Sequence, residues 1–188
     1  THIHVSTNGW LTLGTSAGSN NISALNTGTQ NGFTTIPDNL PVIAPLWDNQ
    51  ALSSTTGISY LKTGTTPNQI MTIQYSNVKW TTNASSANVE FQVLFYENTS
   101  KLEFIYHRLG GAYVADASNG ASIGIATTSG AYLNFNSSDS IPVASTTVST
   151  DTITTFPAEG QIYTFIRPEY STWMNGDWNT GGIWSGGN

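Results

Sequence analysis

The chain contains no cysteine, which excludes disulfide bridges and thiolate metal sites. Charge is nearly as scarce. Charged residues make up 9% of the sequence, with five Lys or Arg against eleven Asp or Glu. Five basic residues cannot form a phosphate-binding stripe, and a net charge of −6 disfavours polyanions. Both facts argue against nucleic acid, and against an anionic membrane surface, as partners. No run approaches the roughly 18 apolar residues of a membrane-spanning helix, so membrane insertion is not expected, and no basic-then-apolar leader is present. No useful window repeats its apolar residues at helical spacing. Nor do GxSxG, HExxH, P-loop, GxGxxG or acid-rich calcium-loop patterns occur.

What the chain has instead is Thr, Ser, Asn and Gly, the makeup of an extracellular bacterial β-protein. Thr suits strands, and the other three suit turns. With 188 residues it can bury a sizeable core without cross-links. It opens at THIHV, already in strand-like alternation, and reads as a mature or excised piece of something longer.

Period-2 alternation dominates. Ile3 and Val5, then Trp10, Leu11 and Leu13, flank the turn Ser6-Thr7-Asn8-Gly9, and Asn-Gly between apolar runs is a strong hairpin signal. Residues 15–39 read as a long polar loop. Val42–Trp47 is a short apolar strand whose Pro45 requires an edge or a bulge. Ile58–Leu61 is followed by a turn over 63–68. Ile70–Tyr75 and Val78–Trp80 form one strand, bulged at Ser76-Asn77 where the apolar parity flips. Asn88–Tyr96 and Lys101–His107 form the clearest hairpin, and Gly120–Thr127, Ala131–Phe135 and Gly160–Ile166 complete the set. The expectation is an all-β fold: an antiparallel, jelly-roll-like sandwich of about ten short strands with almost no helix, over residues 1–167. A Trp- and Gly-rich tail, residues 168–188, is expected to follow as a linker or docking segment.

Placing the hairpin loop at Asn98–Lys101 sets Phe95 opposite Phe104, Val93 opposite Tyr106 and Gln92 opposite His107. Val89, Phe91, Val93, Phe95, Phe104 and Tyr106 are then buried, while Glu90 and Glu103 lie largely exposed on the other face with His107. Two carboxylates and an imidazole could serve acid–base chemistry, but a solvated sheet face is the plainer explanation, and no catalytic residue is assigned. His2 and His4 share one strand face, half of a feasible zinc site without a second half. Asp38 and Asp48 sit in loops where calcium is conceivable. No metal site or cofactor is assigned. Trp47-Asp48 could be active-site chemistry, a ligand platform or a fold corner. The corner reading has Trp47 in the core and Asp48 capping the following turn.

Taken in order, HVSTNGWLTLG, VIAPLWDNQ, GISYLKTGTTPNQIMTIQYSNVKW and FQVLFYENTSKLEFIYH resemble the nidogen-type (NIDO) extracellular domain and its bacterial relatives in large secreted surface proteins. The resemblance covers roughly residues 3–107, and Gly120–Ile125 and Gly160–Phe165 fit the closing strands. It implies a non-enzymatic module of matrix or surface adhesion and brings no catalytic residues. Relatives often carry further acids after the Trp–Asp pair, whereas Asn49 and Gln50 follow here. The resemblance also implies a strand upstream of His2 that this chain lacks. A neighbouring subunit or domain would then fill the gap by strand addition or tail docking, with Trp173, Trp178 and Trp184 as assembly residues in a surface filament.

Two other functions compete. A carbohydrate-binding module would present Trp47, Asp48, Tyr96 or Tyr113 to glycans, and a phage or virion fibre domain is the third reading. Asp139-Ser140-Ile141 and Asp151-Thr152-Ile153 resemble a bacterial O-glycosylation pattern, making Ser140 and Thr152 candidate modification sites.

Overall fold

The computed structural model describes residues 2–14, 32–34, 36, 41–55, 57–80, 84–110, 120–128, 131–149 and 152–166. These form twelve strands: β1 His2–Ser6, β2 Trp10–Gly14, β3 Val42–Trp47, β4 Ala51–Leu52, β5 Ile58–Thr63, β6 Ile70–Lys79, β7 Val89–Tyr96, β8 Leu102–Arg108, β9 Ser122–Thr128, β10 Ala131–Phe135, β11 Ala144–Ser145 and β12 Ile162–Phe165. No helix occurs among the described residues. The two-residue strands β4 and β11 carry no alternation and escape a sequence reading.

The strands build two antiparallel six-stranded sheets that pack as a sandwich. One runs β1-β2-β3-β9-β10-β11. The other runs β12-β8-β7-β6-β4, with β5 also paired to β6. Leu11, Ile43, Leu46, Ile123 and Phe135 of the first sheet meet Ile73, Tyr75, Phe91, Val93, Phe104 and Tyr106 of the second in the main core. The outer face of the first sheet is also apolar. There Trp10, Val42, Ala44, Trp47, Ala126 and Tyr132 are covered by Phe33 and Ile36. Every residue of β3 is therefore buried, as its unbroken apolar run requires.

Pro45 is accommodated by a bulge and not by an edge, because β3 lies between β2 and β9. Three steps along β3, from Ala44 to Trp47, match two along β9, from Gly124 to Ser122. The extra residue absorbs the missing N–H and flips the parity. Leu46 thus joins the main core while Trp47 points to the outer cluster. The bulge in β6 falls where parity predicts, between Tyr75 and Val78, with Asn77 at φ 53°.

The β7–β8 hairpin differs from expectation by a two-residue slip. Val93 pairs with Phe104, Phe91 with Tyr106, Phe95 with Leu102, and Glu90 rather than Gln92 faces His107. Tyr96 N donates to Lys101 O at 3.0 Å, closing the loop over residues 97–100. Ser100 sits there at φ 51°, the left-handed position such loops use. A slip of two keeps every side chain on its face. Val89, Phe91, Val93, Phe104 and Tyr106 are accordingly buried, but Phe95 is only partly covered, since the sandwich opens at that end. Glu90 and Glu103 are half-buried rather than largely exposed.

Phe91 stacks on Tyr75 with ring centroids 4.4 Å apart. Phe91→Ala is expected to cost about 3–5 kcal/mol in chemical denaturation. Glu90→Ala, on the other face of the same strand, should cost under about 1 kcal/mol. Equal losses would contradict the facing described here.

Candidate functional site

The corner after β3 is built around a buried carboxylate. Asp48 is 1% exposed. Its Oδ1 accepts from Asn49 N at 2.7 Å, capping the turn, and its Oδ2 accepts from Trp80 Nε1 at 2.8 Å. Trp80 N donates in turn to Asn88 Oδ1 at 3.0 Å. The β1–β2 turn is fastened to the same corner, with Leu46 N donating to Gly9 O and Asp48 N to Asn8 O. Gly9 lies at φ 74°, and a Cβ there would sit 1.9 Å from Leu46 O, so only glycine fits the contact. Trp47 is fully buried among Trp10, Phe33 and the outer cluster, so its ring is not presented to a ligand. Asp38 lies outside the described residues. Among the described residues no group of three or more His, Asp or Glu side chains converges. His2 and His4 stack, with ring centroids 6.3 Å apart, on edge strand β1.

The polar face of the β7–β8 hairpin divides into separate contacts. Glu90 and Glu103 pair with His107 and Leu94 respectively. Four residues thus separate their positions along the strand, roughly 13 Å at strand rise. Carboxylate pairs that hydrolyse glycosides stand about 5–10 Å apart, so the structure does not bring these two together. Glu90 Oε1 accepts from Asn77 N at the β6 bulge, 3.3 Å away. Gln92 Nε2 donates to Gln74 Oε1 across the sheet. Glu103 accepts from Tyr96 Oη at 2.6 Å, Lys101 Nζ at 2.9 Å and Thr164 Oγ1 at 3.3 Å. Burial pushes its carboxyl up, but the Tyr96 and Lys101 hydrogen bonds outweigh this and hold it below the usual range. Lys101 Nζ also lies 3.9 Å from the centre of the Tyr96 ring, covering part of the face a sugar would stack on.

His107 binds Glu159 Oε1 through Nδ1 at 2.6 Å, and Glu159 Oε2 accepts from Arg108 N at 2.7 Å. The Glu159 hydrogen bond raises the imidazole's pKa, and the Arg108 N–H followed by His107 lowers that of Glu159.

Beside Tyr96 the two sheets part. A cleft of about 850 Å³ opens between Leu13, Ile125 and Leu133 on one side and Phe95, Leu102 and Phe165 on the other, with Lys101 at its lip. Sequence reading did not find it. The visible sign was alternation continuing to the strand ends with no aromatic plug in the loop that closes them. Ser140 and Thr152, the candidate modification sites, are both exposed. Tyr113 and the three tail tryptophans lie outside the described residues.

Removing the corner carboxylate leaves the Trp80 indole N–H buried without its acceptor. Asp48→Ala should therefore cost roughly 2–4 kcal/mol. In a Trp80→Phe background the same change should cost at least about 1 kcal/mol less, read as the coupling in a double-mutant cycle. For the surface pair, an NMR titration should find His107 above its ordinary value of about 6.5 and lower in Glu159→Gln. The pair's contribution to stability is present below that ordinary histidine value and fades as pH rises through the raised one. It also fades at the acid end, as pH falls through the lowered Glu159 value. Added salt should shrink the effect, because both groups are exposed.

One comparison with known proteins identifies a family. The family model described as NIDO related matches residues 1–167. No curated protein and no solved structure matches the chain. Among the described residues no helix is long and apolar enough to cross a membrane. The chain belongs to the NIDO-related family, and a nidogen-type domain of this sort suggests an extracellular one.

Proposed function

We propose that the domain is a non-enzymatic surface module of a larger secreted protein and that it joins its neighbours by strand addition. The reading rests on one observation: the two sheets do not end together. The first sheet stops at β1. The β1–β2 hairpin faces β6, since Tyr75 Oη lies 3.1 Å from the carbonyl oxygens of both Ser6 and Trp10. Strand β5 extends the second sheet one strand beyond β6. Tyr60 pairs with buried Ile73 and so shares its core-directed face, yet it is 76% exposed. Leu61 on the opposite face is 61% exposed. Ile58, at the start of the same strand, packs against the main core, so it is the stretch around Tyr60 that is left uncovered.

A strand added along β1 would satisfy that strand's free edge and cover Tyr60 at once. Supplied by another copy, such a strand makes a head-to-tail contact, which builds a filament where it does not close. Surface adhesion and a cell-surface location belong to this reading, and the extracellular character suggested by the family supports them. O-glycosylation at Ser140 and Thr152 is compatible with it, as both side chains are exposed.

Carbohydrate binding is the second reading. The aromatic ring that favours it is Tyr60, exposed on an edge strand, rather than Tyr96, whose ring and hydroxyl are engaged.

Light scattering over a concentration series should show self-association that Tyr60→Lys abolishes while the circular dichroism spectrum stays unchanged. A chain that remains monomeric at every concentration would overturn filament assembly. Glycan-array binding lost on Tyr60→Ala would put the carbohydrate reading first.

A further inference from the structure

Three residues of the chain are histidines, and two of them, His2 and His4, share strand β1. The third, His107, is engaged by Glu159 at 2.6 Å. Residues two apart on a strand point to the same face. Ile3 and Val5 pack against the main core, so His2 and His4 lie on the opposite, outer face of the first sheet. Their rings are stacked, with centroids 6.3 Å apart and planes 29° from parallel. Two imidazole nitrogens on one tetrahedral zinc stand about 3.3 Å apart, given Zn–N lengths of about 2.0–2.1 Å. Stacked rings at the observed spacing reach that separation by side-chain rotation, without movement of the backbone.

The surroundings of His4 point the same way. It pairs with Thr12 across the β1–β2 ladder. His4 Nε2 and Thr12 Oγ1 are both buried, and among the described residues neither has a hydrogen-bond partner. A buried polar atom left so costs free energy. A histidine that binds a metal through one ring nitrogen donates the N–H of the other to a nearby acceptor, which fixes ring and tautomer. With Nδ1 of His4 on a metal, its Nε2–H is free to turn to Thr12 Oγ1, and both buried atoms are satisfied. His2 is exposed and stands opposite Gly14, which has no side chain to obstruct it.

Two imidazoles are half of a tetrahedral set. Among the described residues no group of three or more His, Asp or Glu side chains forms within one chain. The same strand of a second copy supplies the other half. Strand β1 ends its sheet, with β2 on one side alone. Antiparallel pairing of β1 with itself, about a two-fold axis at Ile3, sets His2 of each copy opposite His4 of the other. Four imidazoles then share one face, with opposed Cβ atoms about 4.5–5.5 Å apart. An axis at His4 instead sets His2 against Ser6 and breaks the set.

We propose that His2 and His4 of two copies together hold one zinc ion, on β1 strands paired antiparallel about Ile3. The inference rests on the strand-addition reading in one respect, that β1 is the edge which accepts a strand. It adds what controls that edge. A two-fold β1–β1 contact is closed, since each copy occupies the other's free edge, whereas a head-to-tail contact can stay open. Zinc therefore holds the chain as a capped dimer, and its removal releases the edge for filament growth.

The test compares the full chain in chelator and with Zn2+ added, by isothermal titration calorimetry and light scattering. Zinc should bind at one ion per two chains and bring the mass to that of a dimer, with growth beyond the dimer suppressed. His2→Ala and His4→Ala should each abolish both effects, and His107→Ala neither. Thr12→Val removes a buried hydroxyl that the fold does not use, so the circular dichroism spectrum should not change. Its zinc affinity should nevertheless fall about 10-fold or more, and Thr12→Ser should restore it. One ion per chain without dimerisation would mark adventitious chelation by a single strand and overturn the proposal. So would zinc binding that survives His4→Ala, or that Thr12→Val leaves unchanged. Association in chelator alone reports on strand addition. A chain that is monomeric there and dimeric with zinc keeps the metal site and loses the filament. One that associates there and ignores zinc keeps strand addition and loses the site.

Discussion

The carboxylate of Asp48 decides how the two sheets meet. It sits at the end of β3 in the first sheet and holds the indole of Trp80, at the end of β6 in the second. Around that bond the aromatic packing is continuous. Trp80 meets Phe156 edge-on, Phe156 meets Tyr106, and Tyr106 returns a hydrogen bond of 2.6 Å to Pro45 O in the β3 bulge. Burial raises the Tyr106 hydroxyl's pKa, so it remains a proton donor to that carbonyl throughout the neutral range. The bulge, the buried acid and the tryptophan are therefore interdependent. Without the extra residue at the bulge, Leu46 and Trp47 would exchange faces, and the main core would lose Leu46 and the outer cluster Trp47. Arg108 seals the same end by donating to the carbonyls of Phe156 and Pro157, at 2.7 and 3.1 Å.

That closure at one end sharpens the contrast with the other. Register shifts interrupt β3–β9 and β6–β7 at the closed end and β9–β10 beside the cleft, so irregular pairing is not peculiar to the open end. The difference lies in what occupies the space between the sheets. At the closed end large rings from loops and strand ends cross the gap. At the open end the described non-strand residues beside the cleft are Pro41, Ser100, Lys101, Thr146 and Ile166, none of them aromatic. Half-covered Phe95, Leu102 and Ile125 are the consequence. A β-sandwich buries its core only as far as its loops cap it, and among the described residues large rings cap one end alone.

Much of this was legible from the residues. Strand positions followed from alternation, and the β6 bulge followed from a parity flip that only an inserted residue explains. The unbroken run VIAPLW marked a short apolar strand with an edge or a bulge at Pro45, and the structure shows it buried on both faces. Asp48 was legible as a turn cap because aspartate bonds its own turn, but its second partner lies 32 residues away, and sequence separation hides such contacts. The hairpin register was misjudged by two because a four-residue loop can be placed at either of two offsets without changing which side chains point inward. Only the left-handed Ser100 distinguishes them, and serine does not advertise that conformation as glycine would. The half-buried Glu103 was missed for a similar reason. Its partners Tyr96 and Thr164 reach it from neighbouring strands, so what alternation marks as a solvent face is in part a hydrogen-bonded layer.

The edges of the sheets carry the remaining argument. An edge strand is a hazard unless it is short, charged, bulged or covered. Strands β4 and β11 are two residues long. Strand β5 carries Lys62, and β12 is four residues long with Ile162 facing outward, 48% exposed. Among the described residues strand β1 has none of these protections. It is five residues long, contains no Lys, Arg, Asp, Glu or Pro, and makes a full regular ladder with β2 on its inner side. Tyr60 stands exposed on the overhanging strand of the opposite sheet. A chain with only five basic residues has little charge to spend on guarding edges, and here it is the edge beside the overhang that goes unguarded. An edge that is regular, uncharged and near an exposed aromatic is of the kind that the proposed strand addition would complete. The physical logic of the fold thus runs from the corner that aligns the sheets to the exposed edge on which the proposed assembly rests.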